Sequence, residues 1–401
     1  MRVLLSTIGS RGDVQPLVAL GQALTSLGVD VRLCVPPDFR EWIEQLGMPV
    51  MPIGPELRST GKGSLPETLT PEQRRQMIEG TVATQFQTIA QAAQGCDIIV
   101  GATALQIAAP SIAEKMGLPY VFASYCPAVL PSPRHAPPVL GWLGDKPVAM
   151  ADYTELWTQD AERWNGMWLP LLNANRATLD LAPVDDVRSH VLTERPWLAA
   201  DPTLAPWPDA TSDAVLQTGA WMVRDGRPLS DEIEVFLAAG DAPVYFGFGS
   251  IRATPDLARV MIESARAVGR RAILSRGWAE LALPDDAPDC LAIGEVNQQA
   301  LFTRVAAVVH HGGAGTTTAA ARAGVPQVVV PQMYDQHYYA ARVNELGVGT
   351  AHAPGAATTE SLTRALERTL RGDVAERARA LADATRGDGA LVAARRIVDV
   401  A

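Results

Sequence analysis

The chain has 401 residues, a formal net charge of −10 at pH 7, and a composition that is 47% hydrophobic and 19% charged. That length favours two domains of roughly 150 to 200 residues each, and the composition is typical of a folded globular protein. Because sequence-independent nucleic-acid binding depends on Lys and Arg neutralising phosphates, the acidic charge argues against that class of partner.

The apolar segments are too short to predict a membrane protein. No apolar stretch reaches about 18 residues, so we expect no transmembrane helix and no membrane partner. The first apolar segment is followed by "SRGD", which is unlike a signal-peptide cleavage region. We therefore expect a cytoplasmic protein.

The first half of the chain alternates predicted strands and helices. A buried strand "RVLLSTI" leads through the polar turn "GSRGD" into an amphipathic helix, "PLVALGQALTSLG", and then into the strand "VDVRLCV". The strands "PVMPI", "DIIVGA" and "YVFAS" follow, with a long helical run from 72 to 94 between the first two. Repeated strand–helix–strand units predict a parallel sheet covered by helices.

The second half repeats this plan. The strands "PVYFGFGS", "RAILS", "CLAIG", "RVAAVVHH" and "PQVVVPQ" are separated by helical patterns. We predict a first doubly wound domain over 1–200, a Pro-, Asp- and Thr-rich linker over 201–222, and a second doubly wound domain over 223–385. A final helix over 386–401 is expected to pack back on the first domain.

The strongest motif is "VVHHGGAGTT", where an apolar strand delivers two histidines and then three glycines before Thr316 opens a helix. Glycines allow close approach of a ligand to the backbone, and free N–H groups at a helix N-terminus favour a phosphate or diphosphate. The alternative is a glycine-rich turn with His310 satisfied in the core.

Other predicted strand ends face the same crevice if the sheet is parallel. Asp335 and Gln336 follow "PQVVVPQ" and suit sugar hydroxyls, although Asp335 could simply cap the next helix. Ser250 follows two glycines, and Arg276 and Trp278 follow the next strand, either as ligand contacts or as a surface cation and a packing residue. No turn fits G-x-G-x-x-G, which argues against a nicotinamide-dependent oxidoreductase.

These motifs resemble the nucleotide-sugar signature of family 1 glycosyltransferases with the GT-B fold. The closer resemblance is to the vancomycin- and teicoplanin-group glycopeptide antibiotic glycosyltransferases, in "GSRGDVQPLVAL", "PPDF", "VYFGFGS", "GEVNQQALF" and "RVAAVVHHGGAGTT". It implies two Rossmann-like α/β domains facing across a cleft. It also implies a TDP- or UDP-activated hexose donor in the C-terminal domain and an acceptor in the N-terminal one.

The resemblance further implies which residues surround the donor. Those expected around the nucleotide diphosphate are Ser10, Arg11, Gly12, Ser250, Arg276, His310, Gly312, Gly313, Gly315 and Thr316. Trp278 and Val296 are expected toward the nucleoside, and Asp335 and Gln336 toward the sugar. No Asp-x-Asp triplet occurs in the sequence. We therefore expect no metal or other cofactor, with the leaving-group charge stabilised by the helix N-terminus, His and Arg.

An acceptor phenol, with an unperturbed pKa of about 10, needs a positioned base as it attacks the anomeric carbon. The chain has no histidine before His135, and Asp13 is the one carboxylate in the first loop. Asp13 is therefore our candidate general base, as the resemblance also suggests. The alternative is that Asp13 is the N-cap of the following helix.

The segment "SYCPAVLPSPRHAPPVLGW" is a Pro-rich insertion suited to a large aryl-rich acceptor. Its candidate acceptor residues are Tyr125, Pro127, Pro131, Ser132, Arg134 and His135. Trp157, Trp164 and Trp168 share one helical face, which is more typical of core than of a ligand platform.

The resemblance to one kind of member predicts transfer of glucose or an N-acetylglucosamine-type sugar to the phenol of hydroxyphenylglycine, the fourth residue of the heptapeptide aglycone. The alternatives are the β-hydroxytyrosine hydroxyl at the sixth residue, a non-catalytic binding protein, and a nucleotide-sugar 2-epimerase, which would need no acceptor surface.

Overall fold

The computed structural model describes residues 1–60, 70–103, 105–138, 152–209, 213–250, 256–353 and 356–400. The first sheet contains β1 (Arg2–Ser6), β2 (Asp30–Val35), β3 (Val50–Pro52), β4 (Ile98–Ala102), β5 (Tyr120–Ser124), β6 (Trp197–Leu198) and β7 (Leu216–Gln217). The second contains β8 (Val244–Gly247), β9 (Ala272–Ser275), β10 (Cys290–Ile293), β11 (Ala307–His310), β12 (Gln327–Val329) and β13 (Gly349–Ala351).

Helices cover both sheets. They are α1 (Arg11–Ser26), α2 (Arg40–Gln45), α3 (Leu57–Thr60), α4 (Pro71–Ala92), α5 (Ala109–Met116), α6 (Tyr153–Thr178), α7 (Val187–Leu192), α8 (Asp231–Ala238), α9 (Leu257–Ala267), α10 (Gln298–Phe302), α11 (Ala314–Arg322), α12 (Gln336–Glu345), α13 (Thr359–Thr369), α14 (Gly372–Ala384) and α15 (Gly389–Val400). Among the helices described here, none is both long enough and apolar enough to span a bilayer.

Every strand pairing within the two sheets is parallel. The strand order is β3-β2-β1-β4-β5-β6-β7 in the first sheet and β10-β9-β8-β11-β12-β13 in the second. The order reverses at β1 and β4 in the first sheet and at β8 and β11 in the second, and ligands bind at such switch points. The predicted fold class of two Rossmann-like domains is confirmed.

The strand β1 shows why the sequence folds this way. Val3 and Leu5 are buried in one hydrophobic cluster and Leu4 in the cluster on the opposite face of the sheet. A strand with apolar residues on both faces must be covered by helices on both sides, as parallel strands are. On α1, Leu17, Leu20 and Leu24 recur at helical spacing and are all fully buried.

The connection between the sheets is not a simple linker. Of the segment predicted as linker, residues 216–217 form β7, which pairs with β6 in the first sheet, and Trp221 is buried in the first domain's core cluster. The C-terminal end of the chain returns from the second domain to the first. The helix α15 packs against α1, and the Asp201 carboxylate accepts a hydrogen bond from the backbone N–H of Arg386 at 2.8 Å.

Candidate active site

Two helices contact each other between the domains, one from each switch point. The helix α1 follows β1, the helix α11 follows β11, and the two helices contact each other. Ala314, the first residue of α11, packs against the first domain's core cluster that contains Val14 of α1.

The N-terminus of α11 is built to receive an anion. Its N-cap is Gly313, and within the described part of the chain no side chain caps it. Gly312 has φ +96°, and a Cβ there would lie 2.7 Å from Val329 Cγ1 and 3.0 Å from the Gln336 carbonyl oxygen. Glycine is therefore required at 312. The N–H groups of the first turn, which no described side chain caps, and the helix dipole favour a phosphate.

His310, expected beside the diphosphate, lies instead in the interior, with 0% of its surface exposed. Its Nε2 is 2.9 Å from the Gln327 Oε1, and its Nδ1 accepts a hydrogen bond from the Gly312 N–H at 3.1 Å. Because Nδ1 accepts, Nε2 carries the proton and donates. The side chain holds the glycine turn and does not face the cleft, so the alternative of a satisfied core histidine describes it.

His311 is the histidine that the sequence reasoning missed. It is half-buried, and Cβ atoms placed on Gly313 and Gly249 would lie 2.6 and 3.3 Å from its ring atoms. Burial lowers the pKa of the imidazole to about 4, opposed by the Gly247 carbonyl. The second histidine of "HH" was the available signal, since adjacent residues leaving a strand point to opposite sides.

The burial of His310 predicts a pH dependence of stability. Burial and the neighbouring His311 lower the pKa of the imidazole from its ordinary value of 6.5 to about 3, and the hydrogen bond to Gln327 acts in the opposite direction. Between those values the unfolded chain binds a proton that the folded chain excludes, so stability is lost as the pH falls below 6.5. We expect the melting temperature to fall from pH 7 to pH 4, and to fall less steeply in His310→Gln. An unchanged slope in the variant would contradict this.

Asp13 stands at the third position of α1. The Ser10 N–H donates to its Oδ2 at 2.6 Å, the Ser10 Oγ lies 3.2 Å from the same oxygen, and Ser10 is the N-cap. The alternative that Asp13 itself is the N-cap is therefore wrong. A Cβ at Gly9, which has φ +152°, would lie 2.2 Å from Oδ2, so only glycine lets the carboxylate fold back here.

The environment of Asp13 suits a base. Burial raises the pKa of the carboxyl to about 6, and the hydrogen bonds from Ser10 act in the opposite direction. Both Ser10 contacts fall on Oδ2, which leaves Oδ1 outside the capping box. The carboxyl remains ionised at neutral pH and is a stronger proton acceptor than an unperturbed aspartate.

Asp335 faces the same cleft from the second domain. It stands at the N-cap position of α12, yet its side chain makes no capping hydrogen bond within the described residues. Burial, together with the charge of Asp13, raises the pKa of the Asp335 carboxyl to about 7. The neighbouring Gln336 is buried, and its Oε1 accepts from the Gln332 and Met333 N–H groups at 2.8 and 3.1 Å, so its amide oxygen holds the loop.

Arg11, expected at the diphosphate, is engaged elsewhere. Its Nη1 lies 2.8 Å from the Glu295 Oε2 in the second domain, and its guanidinium lies 4.5 Å from the Trp42 ring centroid. Trp278, expected toward the nucleoside, stacks on Phe39 of the first domain with a centroid separation of 6.3 Å and an interplanar angle of 25°. The Arg11–Glu295 ion pair and the Trp278–Phe39 stack therefore join the two domains.

The remaining donor candidates lie around the same loops. Gly12 is exposed at the start of α1, Ser250 is half-buried in the loop after β8, and Val296 is half-buried after β10. Gly315 and Thr316 lie half-buried in the first turn of α11. Arg276 is exposed, with its Nη2 3.5 Å from the Ala292 carbonyl.

The matches to known proteins cover the whole chain. Residues 3–132 match the glycosyltransferase family 28 N-terminal domain, and residues 277–388 match the erythromycin biosynthesis protein CIII-like C-terminal domain. The chain is 50% identical to a vancomycin aglycone glucosyltransferase of Amycolatopsis orientalis over 100% of its own length and 97% of that protein.

The chain belongs to the glycosyltransferases of the glycopeptide-antibiotic group. It is a hexosyltransferase. Its fold is that of the kitacinnamycin glycosyltransferase, with a TM-score of 0.74, 20% identity, and coverage of 99% of this chain and 98% of that one. The glycosyltransferase VinC in complex with DTDP matches with a TM-score of 0.64, 22% identity, and coverage of 100% and 99%.

The Pro-rich loop of this glycosyltransferase divides into exposed and buried parts. Pro131 and Arg134 are exposed, whereas Pro127 and Ser132 are buried, and the Ser132 Oγ accepts from the Arg134 N–H at 3.1 Å. Tyr125, expected to contact acceptor, is buried. Of the six candidate acceptor residues, Pro131 and Arg134 are exposed and His135 is half-buried. Residues 139–142 of the predicted insertion lie outside the described residues.

A cavity lies beneath this loop of the glycosyltransferase. Val129, Pro138 and Trp164 line it from the first domain and Tyr334 from the second. His135 sits edge-on to Trp157 at 5.8 Å, and Trp157 is buried as expected of a core residue. Trp168 is also buried, whereas Trp164 is half-buried and faces the cavity.

Proposed function

We propose that this glycosyltransferase transfers glucose or an N-acetylglucosamine-type sugar from a TDP- or UDP-activated donor to a glycopeptide aglycone, with inversion at the anomeric carbon. The acceptor atom is the phenol oxygen of the fourth residue of the heptapeptide. The observation that carries the proposal is the contact across the domain boundary between α1, whose first turn carries Asp13, and α11, whose N-terminus has no side-chain cap among the described residues.

The donor side follows from the charges in the cleft. The diphosphate binds at the N-terminus of α11, where the N–H groups and the dipole stabilise negative charge. Asp335, whose carboxylate makes no capping hydrogen bond among the described residues, accepts hydrogen bonds from sugar hydroxyls. The DTDP in the VinC structure supports a thymidine diphosphate leaving group.

The transfer step needs one base and one leaving-group site. Asp13 accepts the phenol proton while the phenol oxygen forms a bond to the anomeric carbon. The bond from that carbon to the diphosphate oxygen breaks, and its electron pair leaves with the nucleoside diphosphate toward α11. Attack opposite to the leaving group inverts the anomeric configuration.

The acceptor side rests on the named relative and on the Pro-rich loop. The relative at 50% identity is named for glucosylation of vancomycin aglycone. The exposed Pro131 and Arg134 fit contact with an aryl-rich, rigid peptide. Transfer to the sixth-residue β-hydroxytyrosine would use the same scaffold and is the second candidate.

We propose that transfer needs no divalent metal. Within the described residues, one trio of acidic and thiol groups is close enough to share an ion: Asp285, Asp289 and Cys290. Both of its carboxylates are ion-paired with the Arg266 guanidinium, at 2.7 and 2.8 Å. The positive end of α11 takes the role that a metal would have at the diphosphate.

The test incubates the purified enzyme in EDTA with vancomycin- or teicoplanin-type aglycone and, separately, TDP-glucose, UDP-glucose and UDP-N-acetylglucosamine. Mass spectrometry with fragmentation then locates the added sugar. We expect one hexosyl or N-acetylhexosaminyl increment on the fourth residue. An increment on the sixth residue, or transfer only after a metal is added, would contradict the corresponding part of the proposal.

A further inference from the structure

Tyr125 follows β5 directly and is buried. Its side chain is 9% exposed, and its ring packs edge-on against Trp221 with a centroid separation of 6.2 Å. Its hydroxyl donates a hydrogen bond to the backbone carbonyl of Asp13 at 3.0 Å. The residue therefore contacts the backbone of the proposed base directly.

The first turn of α1 lacks one of its backbone hydrogen bonds. Pro16 lies inside the helix and has no N–H, so the carbonyl of Gly12 loses its normal helical partner. A helix turn weakened in this way depends more on outside anchors. Tyr125 supplies one at the residue next to Gly12.

A second tyrosine continues the chain of contacts into the other domain. Tyr339 of α12 is 1% exposed, and its hydroxyl donates to the backbone carbonyl of Tyr125 at 2.6 Å. Its N–H bonds to the carbonyl of Asp335 at 3.2 Å, one helical turn earlier. Tyr125 therefore touches Asp13 through its hydroxyl and the Asp335 helix through its carbonyl.

We propose that Tyr125 is a positioning residue that orients the Asp13 carboxylate, and that Tyr339 ties this orientation to the helix that carries Asp335. The proposal rests on the proposed function, in which Asp13 is the base and Asp335 binds the sugar. The two buried hydroxyl–carbonyl bonds couple the two carboxylates through the domain interface. The base is then aligned when the second domain is docked.

The test replaces each hydroxyl alone. In Tyr125→Phe we expect kcat to fall about 10- to 100-fold, because a small misplacement of a catalytic group has effects of that size, with the acceptor KM changed less than about threefold. In Tyr339→Phe we expect a smaller fall. The double variant should be no worse than Tyr125→Phe, because the two bonds form one chain of contacts.

The titration of Asp13 separates positioning from general loss of structure. Asp335, Tyr334 and Tyr125 interact electrostatically with it, and Ser10 bonds to it. If loss of the hydroxyl lets the first turn of α1 shift, the Asp13 carboxylate becomes more hydrated, and its pKa should fall from about 6 toward its ordinary value of 3.8. Carbon-13 NMR of aspartate-labelled protein, assigned with Asp13→Asn, measures this shift without any substrate.

Tyr120 provides a matched control. Tyr120 is the first residue of β5, and its buried hydroxyl has no hydrogen-bond partner in the described part of the chain. Tyr120→Phe should keep the kcat and the Asp13 titration of the parent. A folded Tyr125→Phe with parental kcat and parental titration would overturn the inference, as would equal losses in Tyr120→Phe.

The two proposals fail in different ways. If the parent enzyme transfers no sugar, the proposed function fails, while the NMR titration still tests the link from Tyr125 to Asp13. If the parent transfers sugar and neither tyrosine variant changes kcat or titration, only the positioning role is wrong. Should Tyr125→Phe not fold, Tyr339→Phe tests the same link, with melting temperature as the check on folding.

Discussion

Replacing Asp13 by Asn is expected to lower kcat by about 100- to 10,000-fold, the range that general-base catalysis contributes. The amide cannot accept the phenol proton, but its oxygen can still receive the Ser10 N–H, so the capping box and the fold survive. The acceptor KM should change less than about threefold. Steady-state kinetics at saturating donor measure this.

Asp13→Asn is also expected to change the pH dependence of activity. Burial raises the pKa of Asp13 to about 6, and burial together with the Asp13 charge raises that of Asp335 to about 7. As the pH falls through these values both carboxyls become protonated, and protonated Asp13 cannot act as a base. The activity of the parent should therefore decline from pH 7 to pH 5. The residual activity of Asp13→Asn should decline less over the same range, because the titration of Asp13 no longer contributes.

The control for this prediction is Asp30→Asn. Asp30 lies on the surface at the start of β2, and its contact with Arg2 is a long, exposed one of 3.4 Å. That variant should keep the parental kcat and pH profile. Parental activity in Asp13→Asn would show that Asp13 is not the general base.

Replacing Gly312 by Ala is expected to weaken donor binding and stability together. The new Cβ would meet the Val329 side chain at 2.7 Å and the backbone of Gln336 at 3.0 Å, in a conformation with φ +96° that alanine rarely adopts. Strain of this kind costs about 1 to 3 kcal/mol of unfolding free energy. Displacement of the α11 N-terminus should lower kcat/KM for the donor by about 100-fold.

Gly80→Ala tests whether the effect belongs to the site. Gly80 is in α4, and a Cβ there would have no atom within 4 Å. Its unfolding free energy should equal or slightly exceed that of the parent, because alanine favours helices. Denaturant unfolding and calorimetric titration with the nucleoside diphosphate measure both effects. A Gly312→Ala enzyme with parental affinity for the diphosphate would contradict the assignment of this turn.

The sequence by itself determined the elements and the candidate loops. Apolar runs such as "RVLLSTI" and the helical spacing of Leu17, Leu20 and Leu24 are local patterns, so they predicted the strands, helices and parallel sheets without any long-range information. Glycines at Gly312 and Gly313 after a strand predicted a backbone turn open to a ligand. Such features depend on the conformational preferences of neighbouring residues.

Only the tertiary structure decided which side chains face the cleft. His310 and His311 point in opposite directions from the strand. Which of them points into the interior depends on Gln327, which lies on β12 beside His310. Likewise, Arg11 turns to Glu295 of the other domain and Tyr125 turns to the backbone of Asp13. Each of these orientations is selected by a partner distant in the sequence, and a partner of that kind is brought into contact only when the domains fold and dock.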